Sequence, residues 1–157
     1  MDTNEARTRF AELLTKKKGV LPSDLDALWS ALAPVRAEDL LGSWKGSQFF
    51  TGHRLCRKLT ASSWHGKRFE SLDRAQPLIC RNEDGELYSD VESGNGEASL
   101  WNIEFRGEVT ATMVYDGAPI FDHFKAVDDT TLMGVMNGKP SLVLDGGQHY
   151  YFALARE

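Results

Sequence analysis

Apolar residues in the first 33 positions recur at helical spacing. Ala6, Phe10, Leu13 and Leu14 fall near one stripe, and Gly19 ends the run. The pattern restarts in PSDLDALWSAL, where Leu25, Leu28, Trp29 and Leu32 stand at i, i+3, i+4 and i+7 and predict a helix with one buried face. Ser23 is its expected N-cap, acidic residues fill the first turn, and Pro34 marks the end. A third helical patch runs from His53 to Ser62, with Leu55 and Leu59 on one side and Arg57 and Lys58 on the other.

Beyond residue 62 the period changes to that of strands. Short β-rich runs occur at Lys67–Phe69, Leu78–Cys80 and Glu86–Tyr88, followed by the flexible stretch ESGNGE at 92–97. From Ala98 the chain reads as a meander. Taking Arg106-Gly107-Glu108 as a three-residue hairpin loop sets Phe105 opposite Val109, Ile103 opposite Ala111 and Trp101 opposite Met113, which gives one wholly apolar face. Asp116-Gly117 makes the next turn. The apolar face then continues through Ile120 and Phe124, with Asp122 between them on the same side. Asp128-Asp129 and Asn137-Gly138 turn the chain again, and HYYFALAR at 149–156 is the last strand. About eight to ten short antiparallel strands after two helices predict a mainly β fold, a sandwich or a closed barrel. Closure removes sheet edges, so the expectation is a barrel over 38–157 with a helical N-terminal extension over 1–37, together one structural unit.

Composition narrows the picture. A chain of 157 residues with net charge −5 has the size of one domain and lacks the basic surface that nucleic acid or an anionic membrane selects. Lys16-Lys17-Lys18 is the one basic run, and it suits the C-terminal end of a helix. No apolar run reaches spanning length, and no secretory leader opens the sequence. Cys56 and Cys80 fit neither a zinc nor a redox spacing, so the expectation is a reduced, cytoplasmic protein with two inert thiols. Ser43 and Ser141 sit in no nucleophile motif.

Gly42-Ser43-Trp44-Lys45-Gly46 opens the first long strand. A large ring there can plug the barrel's end, with glycines on either side allowing close approach. Gly42-x-Trp44 resembles the G-x-W signature of lipocalin-type, calycin-like barrels, in which an arginine on the last strand packs over the tryptophan; Arg156 stands at that place. The chain is more closely similar to the family named for its GXWXG motif, found with an adjoining C-terminal domain of unknown function. Gly42-x-Trp44-x-Gly46, Thr51-Gly52-His53, Trp64-x-Gly66-Lys67-x-Phe69 and Pro77-Leu78 match it. So do Asp122-x-Phe124-Lys125, Gly134-x-Met136 and Tyr151-Phe152-x-Leu154-x-Arg156. The resemblance covers roughly 38–156 and implies a barrel that binds a lipid or another small apolar ligand. G-x-W also opens haem-binding nitrobindin barrels, but Gln48 replaces a further glycine of that pattern; His123 or His149 would be the iron ligand under that reading.

Asp122 carries the most chemical weight. An unpaired buried carboxylate costs several kcal/mol, so it needs a partner or a task. It can be a polar anchor, a general acid or base, half of a structural ion pair, or a residue turned out by a bulge. Lys67 shares a strand face with Phe69. It can pair with Asp122, hold a ligand carboxylate, or snorkel to the surface. His53 closes the opening motif at a helix start and is a candidate for the barrel mouth. Trp64, Phe69, Trp101, Met113, Tyr115, Phe124 and Met133 are the expected inner wall, as ligand lining or as solid core. His123 neighbours Asp122 in sequence, but strand neighbours point to opposite faces, so the two form no dyad. No histidine spacing suits a metal, and no cofactor is expected.

Three readings stay open. The first is a barrel that binds a small hydrophobic molecule, fatty-acid-like or lipid, with Asp122 and Lys67 or His53 at its polar end and the helices gating the mouth or forming a homodimer contact. The second is an isomerase- or cyclase-type enzyme that uses Asp122. The third is a solid interaction module.

Overall fold

The computed structural model describes residues 1–157. Helix α1 spans Thr3–Thr15. Its N-cap Asp2 accepts from the Glu5 amide, and Glu5 accepts in return from the Asp2 amide, which completes a capping box. Helix α2 spans Pro22–Ala31. Pro22 supplies a preset φ and lacks the N–H that would be orphaned at N1, so the helix starts there, two residues before the start that a Ser23 cap would set. The expected Ser23 cap is therefore corrected: Leu21 stands at the N-cap and makes no side-chain bond.

Strands follow at β1 (Ala33–Pro34), β2 (Gly42–Gln48), β3 (Trp64–Phe69), β4 (Ala75–Arg81), β5 (Leu87–Ser89), β6 (Ala98–Phe105), β7 (Glu108–Tyr115), β8 (Ile120–Asp128), β9 (Thr131–Gly138) and β10 (Tyr150–Arg156). Helix α3 (Arg54–Ala61) joins β2 to β3, and the short α4 (Pro140–Val143) lies between β9 and β10. Strands β2, β3, β4, β6, β7, β8, β9 and β10 pair antiparallel in that order, and β10 returns to β2. This is a closed eight-stranded up-and-down barrel, with β1 added at β8 and β5 at β4. The weakest seam is β4–β6, which is held by the single pair Ala75 and Ala98. No helix is long and apolar enough to cross a membrane.

The β6–β7 register differs from the expected one. Arg106 (φ 52°) and Gly107 (φ 82°) form a two-residue turn, and Glu108 already pairs with Phe105. Two positive φ values twist the chain in the sense that the flanking strands need. On β7 the faces stay as read from the sequence, with Ala111 and Met113 inward. On β6 they invert: Leu100 pairs with Met113 while Trp101 pairs with Thr112 and lies 57% exposed. Trp101 is thus no part of the inner wall.

Two cores result. Inside the barrel Trp44, Phe69, Met113, Phe124, Phe152 and Leu154 pack together. On the outside of β8, β9 and β10, helices α1 and α2 bury Met133, Val135, Tyr151 and Ala153 beneath Phe10, Leu13, Leu28 and Trp29. Met133 therefore belongs to the helix–barrel contact and not to the inner wall, because it alternates with the inward Gly134. Polar ties fix the same contact. Arg7 donates to the Val127 carbonyl, Tyr151 to Asp26, and Lys125 to the Trp29 carbonyl and to Glu108. These helices cover the wall, and the mouth is left to α3.

Trp44 closes one end. It is buried, its Nε1 donates to the Leu40 carbonyl at 2.8 Å, and the Arg156 guanidinium stacks 4.2 Å from its ring centre. The first motif glycine makes room for that arginine: Gly42 has φ 126°, and a Cβ there would stand 3.0 Å from the Arg156 guanidinium.

Candidate functional site

The other end of the barrel is hollow. A cavity of about 270 Å³ lies between the upper walls and a set of covering segments. Its walls come from Trp64 and Lys67 of β3, Leu78 and Cys80 of β4, Tyr115 of β7, Ile120 and Asp122 of β8, Met136 of β9, and Tyr150 and Phe152 of β10. The cover consists of Leu55, Lys58, Leu59 and Ser62 around α3, the loop residues Asp90 and Ser93 to Asn95, Ala118, and Leu142 of α4. Twelve of the 20 lining residues are hydrophobic, the apolar majority usual for a small-molecule site.

The cavity depends on a local irregularity. Trp64 and Lys67 are three residues apart, so regular alternation would send them to opposite faces. The β3–β4 register shifts between Trp64 and Gly66 and again between Gly66 and Arg68. These bulges turn both side chains inward. Trp64 then donates from Nε1 to the Pro77 carbonyl at 3.2 Å, and its ring lies across Gly46. A Cβ at Gly46 would fall 2.3 Å from that ring. The motif glycines thus serve two different aromatic contacts, one at each end of the barrel.

Lys67 and Asp122 meet on the cavity wall. Lys67 Nζ lies 3.0 Å from Asp122 Oδ2, and both side chains are 3% exposed. Nζ also reaches the Pro77 carbonyl at 3.3 Å and sits over the Phe152 and Trp64 rings at 5.1 and 5.6 Å. Burial raises the Asp122 pKa above its ordinary value, and the attraction of Lys67 opposes that shift. Burial, together with the nearby Asp122 charge, holds the Tyr115 phenol well above its ordinary value. Tyr150 is shifted the same way by burial, and its hydroxyl donates to Gln48 at 2.7 Å. Cys80 on the wall is a free thiol whose pKa burial also raises. The wall thus presents the Lys67–Asp122 pair and two phenols.

Of the residues singled out in the sequence, Trp64, Lys67, Tyr115 and Asp122 line this cavity. Phe69, Met113 and Phe124 are buried in the barrel core without reaching it. His53 caps α3: its Nδ1 accepts from the Leu55 amide, and its Nε2 bonds the Val143 carbonyl at 2.9 Å. Burial lowers its pKa, and its ring does not face the cavity. It ties the cover together by linking α3 to α4. Neither histidine considered for haem lines the cavity. His149 bonds the Met136 carbonyl at 2.7 Å. His123 lies on the outer wall under the helices, stacked 4.0 Å from Phe105, with Thr112 on Nδ1 and Asn137 on Nε2. Other lining residues are readable in part from the sequence. Tyr150 and Phe152 share the parity of Leu154 on the last strand, and Leu55 and Leu59 form the apolar stripe of α3. Met136 falls in register opposite Asp122. Asn95 and its loop neighbours carried no such periodic signal.

Comparison with known proteins gives two adjoining family matches. Residues 27–85 match the family described as GXWXG protein, and residues 96–156 match the domain of unknown function DUF4334. The first match begins inside α2, so it extends beyond the boundary at residue 38 drawn from the motifs. A solved structure, of a protein from Thermomonospora curvata, is 35% identical over 98% of this chain and 99% of that one, with a TM-score of 0.85. That alignment includes nearly the whole of α1 and α2 as well as the barrel. No curated protein matches the chain.

Proposed function

Because the chain belongs to the GXWXG protein family and carries its adjoining DUF4334 domain, we propose that the family barrel serves here as a container for a small hydrophobic molecule of lipid-like character, held at its polar end by Asp122 and Lys67. One observation carries this reading: a buried ion pair stands on the wall of an apolar cavity large enough for a ligand. A buried ion pair is weak evidence of stability, since apolar residues of similar volume often stabilise as well or better. Its retention beside an open volume is explained by a ligand's polar group. The free, buried Cys56 and Cys80 suit a reducing compartment such as the cytoplasm.

The test is native mass spectrometry of freshly purified protein with extraction of what co-purifies, together with titration of the small neutral fluorophore 1-naphthol. Saturable uptake is expected, and Ala118→Trp at the cavity lip should abolish it. Uptake that persists in Ala118→Trp would place the probe elsewhere and defeat the reading.

A second reading is favoured by the raised pKa of Asp122 in its apolar surroundings: an isomerase- or cyclase-type enzyme in which this carboxyl moves a proton. Turnover of a bound molecule, dependent on pH and lost in Asp122→Asn, distinguishes it from carriage.

A further inference from the structure

We infer that the ligand of this cavity is an uncharged molecule of on the order of ten non-hydrogen atoms, carrying a hydroxyl or carbonyl group, and that carboxylates and amines are excluded. This rests on the ligand-binding reading above and narrows it.

The argument is one of charge balance. Four lining residues are charged: Lys58 and Lys67, Asp90 and Asp122. They sum to zero. The inner two neutralise each other at 3.0 Å, both almost wholly out of water. The remaining ionisable groups on the wall, Tyr115, Tyr150 and Cys80, are kept neutral by burial. A ligand carboxylate would therefore bring an uncompensated negative charge next to Asp122, and an amine would bring an uncompensated positive one next to Lys67. Either pays desolvation without a free counter-charge.

A neutral polar group meets no such obstacle. Lys67 already spends donors on Asp122 and on the Pro77 carbonyl. Asp122 has no other donor from the chain, so it can accept a ligand O–H. The Tyr115 hydroxyl makes no hydrogen bond within the protein and can donate to a ligand oxygen. It lies on the inner face of β7, two residues along from Met113, which pairs with Asp122. Size follows from volume. About 270 Å³ lies just below the roughly 300–1,000 Å³ of pockets for drug-sized ligands, which points to a molecule of on the order of ten non-hydrogen atoms and not to a long acyl chain.

The experiment is isothermal titration of the full-length protein with four matched probes: octanol, methyl hexyl ketone, octanoate and octylamine. At neutral pH octanol or the ketone should bind at least about tenfold more tightly than either charged probe. Octanoate should gain about tenfold for each pH unit of acidification, because only its acid form enters. Asp122→Asn leaves the Lys67 charge free, and its preference should turn toward octanoate by at least about tenfold. Octanoate binding as tightly as octanol to the unmodified protein would overturn the inference while leaving the container reading intact. If none of the four probes binds, the container reading fails and this inference goes with it. The comparison on the unmodified protein decides the matter even if Asp122→Asn does not fold.

Discussion

Replacing Lys67 by Met isolates the energetics of the cavity wall. The thioether fills much of the volume of the lysine stem, so the change removes charge more than packing. Asp122 then faces an apolar interior alone. It can stay charged at high cost, or it can take up a proton. Breaking a buried pair by removing one partner costs about 3–5 kcal/mol, and protonation of the stranded carboxyl limits that loss. The sign follows from proton counting. With its folded pKa raised, Asp122 holds more protons in the folded than in the unfolded chain. The loss is therefore absent below 3.8 and grows as pH rises toward the folded pKa, by up to about 1.4 kcal/mol per unit. Urea unfolding, followed by tryptophan fluorescence at several pH values, measures that slope. The double variant Lys67→Met with Asp122→Leu should return to within about 1 kcal/mol of the parent, since it removes both charges together. A Lys67→Met variant that loses under about 1 kcal/mol and has a flat pH profile would refute the claim that the pair is desolvated and coupled.

Other consequences are equally direct. Trp44→Ala removes the plug beneath Arg156 and should cost about 3–5 kcal/mol in urea unfolding; under about 1 kcal/mol would contradict its role. Gly46→Ala puts a methyl group into the Trp64 ring and should cost about 1–3 kcal/mol, most of it recovered when Trp64 is also shortened to Leu; no recovery would mean that the clash lies elsewhere. His123 is held down to about 4 from 6.5 by burial, so the unfolded chain takes up its proton first as pH falls. Stability should therefore drop by about 3 kcal/mol between pH 6.5 and 4, and His123→Phe should remove that part of the acid limb. An unchanged acid limb in His123→Phe would assign the loss to other groups.

The sequence made the barrel legible because period-2 alternation, tight-turn residues and the Gly42-x-Trp44-x-Gly46 motif all agree with closure. Arg156 over Trp44 was readable from the resemblance to lipocalin-type barrels, in which an arginine of the last strand packs over the tryptophan. Asp122 was placed correctly because β8 is regular around it. Trp101 was not, since the face of β6 turned on one residue of loop length at Arg106-Gly107, and a single slip inverts every side chain of a strand. Met133 failed for another reason. Helices α1 and α2 bury the outer face of β8 to β10, so hydrophobicity there no longer distinguishes in from out. The inward turn of both Trp64 and Lys67 depends on bulges around Gly66, and a lone strand glycine marks a bulge without saying which side chains it turns inward. The cavity itself is a property of how side chains fall short of filling a volume, which no pattern of residue types encodes.

A comparison within the molecule separates structural from functional burial of charge. The chain buries two lysines, one on each side of the barrel wall. Lys125, on the outside, bonds the Trp29 carbonyl and Glu108 and lies 5.2 Å from the Trp29 ring. All its partners belong to the chain, the carboxylate partner is 44% exposed, and removing the ammonium would loosen α2 from the sheet. Lys67, on the inside, ties no helix to anything. Its carboxylate partner is fully desolvated, and the volume beside the pair is open. If both lysines served stability alone, replacing each pair by apolar residues should have the same outcome. The geometry predicts a difference. Removal of Lys125 with Glu108 should lower the protection of α2 amides in hydrogen exchange and leave uptake of 1-naphthol and octanol unchanged. Removal of Lys67 with Asp122 should leave α2 protection intact and relax the choice among the four octyl probes, so that octanol loses its hydroxyl-specific affinity. Identical behaviour of the two double variants in both measurements would remove the reason for assigning a ligand to the inner pair.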